Sequence, residues 1–122
     1  MKLLILLGVI NGFLAVALGA FGAHGLEGKL SEKMLGIWEK AVNYQMFHTM
    51  ALLVTGLLMA KMTGGSVTWA GWMFLIGIIL FSGSLYIYSI TAVKTFAMIT
   101  PIGGVAFLIG WILLGTAAVK YL

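Results

Sequence analysis

Two histidines, His24 and His48, carry the most versatile chemistry in this sequence, because imidazole can ligate a metal, carry a proton or hydrogen-bond a neighbouring helix. His24 lies in "FGAHGL" (21–26), after about twenty residues with Asn11 as the one polar side chain. His48 lies in "NYQMFHTMALLVTG" (43–56). Both histidines lie in or at the end of long apolar runs, so each needs a specific hydrogen-bonding or functional role.

The segment around His48 places several polar side chains on one helical face. Tyr44, His48 and Thr55 lie on this face at i, i+4 and i+11, and Gln45 and Thr49 lie beside it. Inside a membrane such a face is expected to point at protein or water rather than at lipid. Its expected partners on the other apolar segments are Asn11, Ser82, Ser84 and Thr100.

Three functional chemistries follow from these residues. Haem ligation by His48 is one, but His48 lies ~12 Å along its helix from Lys40, so one iron cannot easily bind both histidines of a chain. A haem shared by two copies of His48 stays open. A Ser84–His48 hydrolase lacks an oxyanion-hole signature. Proton-coupled export would depend on His48, because no carboxylate lies within an apolar segment.

The alternative interpretation is structural. Each histidine then donates hydrogen bonds to a neighbouring helix, and His24 serves as a polar terminator of its helix and an interhelical clasp. The set of candidate polar or ligand-binding residues is Asn11, His24, Tyr44, Gln45, His48, Thr49, Ser82, Ser84 and Thr100. No complete catalytic set is recognisable, no metal site or cofactor is predicted, and the protein is expected not to be an enzyme.

The composition indicates a membrane protein. Hydrophobic residues make up 62% of the 122 residues and charged residues 8%, and the mean hydropathy is +1.15. A water-soluble domain of this size needs more polar surface. All seven basic residues are lysines, without an arginine to read phosphates or bases, so nucleic acid is not an expected partner. The chain has no cysteine, which excludes disulfides and thiolate sites.

Four apolar runs, at 3–23, 41–61, 68–92 and 101–119, are each near the ~20 residues that cross a bilayer as a helix. The sequence therefore predicts one domain (1–122): an all-α bundle of four transmembrane helices. Between the first two runs, the elbow 24–40 holds all three glutamates. Met34, Ile37, Trp38 and Ala41 have helical spacing there, which predicts a short interfacial amphipathic helix that Ser31 caps.

The fourth run begins with Thr100 and Pro101, which predicts a helix capped by Thr100 with Pro101 in its first turn. Trp111 lies near the middle of this run, where its indole N–H needs a partner.

Small residues recur along two of the runs, which permits close helix packing within the chain or between copies in a homo-oligomer. The glycines assigned to helix packing are Gly8, Gly12, Gly19, Gly103 and Gly110.

Four spans place both termini on one side. That side carries Lys2, Lys61 and Lys120, against four lysines on the other, so the charge distribution alone does not give the orientation.

The motifs "GAFGAHGL" (19–26), "WEKAVNYQMFHTMALL" (38–53), "FSGSLY" (81–86) and "TPIGGVAFLIGW" (100–111) resemble the YgdD/YwdK-like family of small membrane proteins of unknown function. The resemblance covers nearly the whole chain. It implies a four-helix multi-pass protein of the bacterial plasma membrane with both termini in the cytoplasm. It supplies no catalytic residue.

Three hypotheses about function remain. The leading one is a non-enzymatic membrane component that binds a lipid, a quinone-like molecule or a partner protein. The second is an oligomeric channel or transporter lined by the polar face around His48. The third, and the weakest, is a haem-binding redox protein ligated by His48.

Overall fold

The computed structural model describes all 122 residues, and its regular structure is entirely helical. The elements are α1 (Lys2–His24), α2 (Glu32–Leu58), α3 (Gly65–Gly77), a π-helical segment (Ile78–Ser82), α4 (Gly83–Thr91) and α5 (Lys94–Tyr121). The segments α3, π and α4 follow each other without a break and form one rod, called here the α3–α4 rod (Gly65–Thr91). The all-α prediction is confirmed.

Three helices are long and apolar enough to cross a membrane: Lys2–His24, Gly65–Thr91 and Lys94–Tyr121. Helix α2 is as long as these, at 27 residues. It is less apolar because Asn43, Gln45 and His48 lie within it, after two acid–lysine pairs near its start.

Helices α1 and α2 are antiparallel neighbours along their whole length. Gly8 lies against Leu53, and towards the other end of α1 Gly19 lies against Val42. Beyond that, the indole Nε1 of Trp38 donates to the Leu18 carbonyl at 2.9 Å. The register holds from one end of α1 to the other, so α2 lies at the same levels as α1.

The α3–α4 rod packs antiparallel to both α2 and α5. The Ser82 hydroxyl, in the π-helical segment, donates to the Ala41 carbonyl of α2 at 2.8 Å. On the other side a Cβ at Gly103 of α5 would lie 2.7 Å from the Phe81 Cα, so the two backbones are in close contact there. The rod is therefore the central element, with α2 and α5 on either side of it.

The predicted interfacial helix is not a separate element. Residues 25–31 form turns, Ser31 caps α2 by accepting from the Met34 N–H at 3.2 Å, and the helix then continues to Leu58 without interruption. Gly36 alone does not break it, because the flanking residues are mostly good helix formers. The prediction of the Ser31 cap is confirmed, and the segment predicted as a short separate helix is the first part of α2.

The predicted start of the last helix is also wrong. Helix α5 begins at Lys94, so Pro101 lies inside it and Thr100 does not cap it. The chain reverses immediately after α4 because Ala92 adopts a left-handed conformation (φ 58°). Pro101 then removes one backbone hydrogen bond, to the Ala97 carbonyl, which a membrane helix with close neighbours tolerates.

Candidate functional site

An open groove of about 770 Å³ separates α2 from α5. It exists because both helices pack on the α3–α4 rod and make few backbone contacts with each other. Phe81 is the residue of the rod that lines it. The eleven lining residues are Asn43, Tyr44, Phe47, His48, Phe81, Pro101, Gly104, Val105, Phe107, Leu108 and Trp111. No charged side chain is among them.

His48 forms part of the groove wall, and both of its ring nitrogens have partners. Its Nδ1 lies 2.9 Å from the Tyr44 carbonyl, and the Trp111 indole Nε1 lies 3.1 Å from its Nε2. A carbonyl only accepts and an indole N–H only donates, so Nδ1 carries the proton and Nε2 accepts. The geometry therefore assigns a neutral imidazole whose hydrogen-bonding capacity is complete.

Aromatic rings surround the imidazole. Phe107 stacks on it with 3.5 Å between ring centroids and 9° between planes. Trp111 packs edge-on against Phe74 of the rod, with centroids 4.9 Å apart. These contacts fix the His48 ring as a packed wall element, and a metal ion could reach Nε2 only if the bond to Trp111 broke.

At one end of the groove two polar side chains have no hydrogen-bond partner in the protein. Tyr44 is 43% exposed, and its ring packs against Phe81 with centroids 4.4 Å apart. Asn43 is exposed beside it. Both lie about one helical turn beyond Lys40, so this end of the groove is the one nearest to charged residues.

A second polar cluster crosses the bundle away from the groove. The Tyr86 hydroxyl donates to Gln45 Oε1 at 2.7 Å, Gln45 Nε2 donates to Asn11 Oδ1 at 3.0 Å, and Asn11 Nδ2 donates to the Leu7 carbonyl at 2.9 Å. This chain joins α4, α2 and α1. Its members are side chains bonded to protein groups, so it is a sealed interhelical contact.

The remaining candidate residues are dispersed. Ser84 bonds to Thr100 at 2.6 Å and also donates to the Phe81 carbonyl, so it does not meet His48 as a nucleophile would meet its base. The hydroxyl of Thr49 is buried without a partner. His24 is the last residue of α1, exposed and without a side-chain hydrogen bond.

The packing glycines lie between helices of this chain. Gly8, Gly12 and Gly19 face α2, while Gly103 and Gly110 face the α3–α4 rod. The structure thus uses these surfaces for intrachain contacts.

Sequence reasoning did not identify the groove. Asn43, Phe107 and Tyr86 were not among the candidate residues, and Trp111 was singled out only for its unpaired N–H. One signal was available: Pro101, Gly104, Leu108 and Trp111 lie at i, i+3, i+7 and i+10, which is one helical face.

Comparisons with known proteins agree on one family. The family described as "Protein of unknown function (DUF423)" matches residues 18–104. No solved structure matches this chain.

Several relatives are similar over their full length. The UPF0382 membrane protein YwdK of Bacillus subtilis is 57% identical and the match covers 100% of both chains. A UPF0382 membrane protein of Staphylococcus epidermidis is 54% identical, and one of Staphylococcus haemolyticus is 49% identical. Each of these two matches covers 99% of this chain and 98% of the relative.

Proposed function

Because the chain belongs to the DUF423 family of membrane proteins of unknown function, we propose that it is a non-enzymatic membrane component which holds an uncharged amphiphilic molecule in the groove between α2 and α5. The observation that carries this proposal is the lining of the groove. It is aromatic and aliphatic along most of its length, has no charged side chain, and ends at the unpaired Asn43 and Tyr44. Such a lining suits a ligand with an apolar body and a neutral polar head.

The proposal includes four membrane crossings. Helix α1 is long and apolar enough to span, and α2 packs against it in one antiparallel register, from Leu53 beside Gly8 to Trp38 beside Gly22. This shared level supports a crossing by α2 as well. The polar residues Gln45 and Thr49 are accommodated because they are buried against protein.

Four crossings define how the groove lies in the membrane. Asn43 and Tyr44 are then near the headgroups on the side of Lys40, and the wall of α5 from Pro101 to Trp111 extends about 15 Å inwards. The groove opens sideways, towards lipid. A bilayer amphiphile can therefore enter with its head at the Asn43 end and its tail pointing towards Trp111.

The same geometry supports the hypothesis of a binding protein rather than that of a channel. The side chains of Gln45 and His48 are bonded to other protein groups, and Thr49 is 3% exposed. Three residues of the polar face of α2, Gln45, His48 and Thr49, are thus buried against protein, and Tyr44 is the exposed one. We accordingly assign His48 a structural role in the groove wall.

Indole N–H signals in a nuclear magnetic resonance spectrum test this proposal, because Trp111 lies in the groove while Trp69 is exposed on α3. When delipidated protein receives the neutral-lipid fraction of its source membrane, we expect the Trp111 signal to shift and the Trp69 signal to stay. Trp111→Phe assigns the signal.

Two glycines of α5 provide a matched pair of variants. Gly104 lines the groove, and a Cβ there would make only ordinary contacts, 3.8 Å from Phe81 Cδ2. Gly115 has open space around it. Gly104→Leu should abolish the Trp111 shift and Gly115→Leu should keep it, with Gly104→Ala as a milder variant if the leucine impairs folding. The proposal is contradicted if the Trp111 signal does not shift when the lipid is added, or if it still shifts in the Gly104→Leu variant.

A further inference from the structure

We infer that the polar end of the groove is a site for the carbonyl-bearing ring of an isoprenoid quinone, held by hydrogen bonds from Tyr44 and Asn43. This inference rests on the proposed function and names the class of molecule that the groove holds. It is carried by the chemistry of the Asn43 end, by the shape of the wall opposite, and by the direction of the groove.

The available hydrogen-bonding groups favour a neutral acceptor. The Tyr44 hydroxyl and the Asn43 amide can each donate one or more hydrogen bonds, and neither has a partner in the protein. No lysine lines the groove to neutralise a phosphate or a carboxylate. A ligand head that carries carbonyl oxygens and no charge therefore matches this end, whereas a phospholipid head does not.

The walls at this end favour a flat ring. On α5, Pro101 and Gly104 present little side chain, which leaves a shallow surface beside Phe81. On the other side stands the Tyr44 ring, itself packed on Phe81. Aromatic walls bind planar rings through offset or edge contacts, so a flat ring gains contacts here that a branched glycerol head does not.

The remainder of the groove suits a hydrocarbon tail. Beyond the Tyr44 end it is lined by Phe47, Leu108 and Val105. The His48 and Trp111 polar atoms in this part are bonded to each other. The tail region therefore presents no unpaired polar group, and a tail continuous with the ring can leave sideways into lipid.

Three probes test the inference on the delipidated full-length protein in detergent. They are a 1,4-naphthoquinone with a short isoprenoid tail, the corresponding naphthalene without the two carbonyl oxygens, and a diacylglycerol of matched length. The Kd of each probe is obtained from the Trp111 indole signal. The comparison is between wild type and the Tyr44→Phe/Asn43→Ala variant, which keeps the aromatic ring on Phe81 and changes an exposed residue.

We expect the variant to weaken quinone binding about tenfold, from the loss of two hydrogen bonds, and to change naphthalene binding less than about twofold. The quinone inference would be overturned if the variant weakened the binding of both ring probes equally or of neither. It would also be overturned if wild type bound diacylglycerol more tightly than the quinone.

Gly104→Leu separates this inference from the proposed function. Suppose that Gly104→Leu abolishes binding of every probe, while the Tyr44→Phe/Asn43→Ala variant changes the Kd of the quinone and of the naphthalene by the same factor. The groove is then the binding site and the quinone inference is wrong. If Gly104→Leu leaves the Kd of every probe unchanged, the groove is not the site, and the proposed function and the quinone inference fail together.

Discussion

The imidazole of His48 shows how a polar side chain is made compatible with an apolar interior. Its Nδ1–H donates to the Tyr44 carbonyl, and its Nε2 accepts from the Trp111 indole N–H. The bond between His48 and Trp111 satisfies both side chains, since an unpaired imidazole nitrogen and an unpaired indole N–H would each cost free energy here. The pair links α2 to α5 across the groove, beside the stacking of Phe107 on the same imidazole.

This coupling can be measured by a double-mutant cycle with His48→Ala and Trp111→Phe. Each single variant removes the same hydrogen bond, so we expect the double variant to lose less stability than the sum, by about 0.5–1.5 kcal/mol. Reversible unfolding in mixed micelles provides the free energies. As a control, His48→Ala combined with Trp69→Phe should be additive, because Trp69 is exposed on α3. Additivity in both cycles contradicts the assigned hydrogen bond.

Residue types predicted some of these contacts. A buried glutamine on α2 and a lone asparagine on α1 need partners, and Gln45 does donate to Asn11. The Trp111 indole needed an acceptor as well, but sequence did not indicate His48. That pairing depends on the level of α5 relative to α2, which is set by the α3–α4 rod between them. Hydrogen-bonding need is thus readable from sequence, whereas the choice of partner depends on tertiary register.

Among the elements, α2 is the one whose placement matters most. It supplies one wall of the groove, the centre of the Tyr86–Gln45–Asn11 chain, and the acceptor for the Ser82 hydroxyl. Its polar residues lower its hydropathy below that of the other long helices, yet its antiparallel register against α1 supports a full crossing.

Single cysteines test this crossing directly, because the native chain has none. Exposed positions are Lys29, Thr63 and Lys94 in or beside the connections and Leu122 at the end. With four spans and cytoplasmic termini, Lys29→Cys and Lys94→Cys should react with an impermeant maleimide in intact cells. Thr63→Cys and Leu122→Cys should react only after permeabilisation. Labelling of Lys29→Cys and Thr63→Cys from the same side would contradict the crossing of α2.

The positions of the long helices could be predicted from the sequence, whereas the residues at which they begin and end could be predicted less well. The apolar runs located every long helix, because hydrophobic length reports directly on spanning segments. The start of α5 was missed because Pro101 suggested a first turn, whereas the left-handed Ala92 allows the helix to begin at Lys94. The elbow residues from Glu32 onwards are the first turns of α2, because apolar residues at helical spacing continue without a break from Met34 into the second apolar run.

At the scale of the whole molecule, the antiparallel packing of neighbouring helices produces the groove. Helices α2 and α5 each bury one face on the α3–α4 rod, and the large rings of His48, Phe107 and Trp111 hold them apart. The face of α5 from Pro101 to Trp111 indicates one wall, but neither helix alone predicts the cavity, because the cavity results from how the two walls are placed on the rod. We propose that an uncharged amphiphile occupies this space.

Native mass spectrometry of the protein released from its own membrane, without added lipid, tests that claim most directly. Wild type and Gly115→Leu should each carry one defined additional mass of a neutral lipid-soluble molecule. Gly104→Leu should be released without that mass, with its helical content intact by circular dichroism. Bare wild-type protein, or an identical additional mass on Gly104→Leu, would contradict the account.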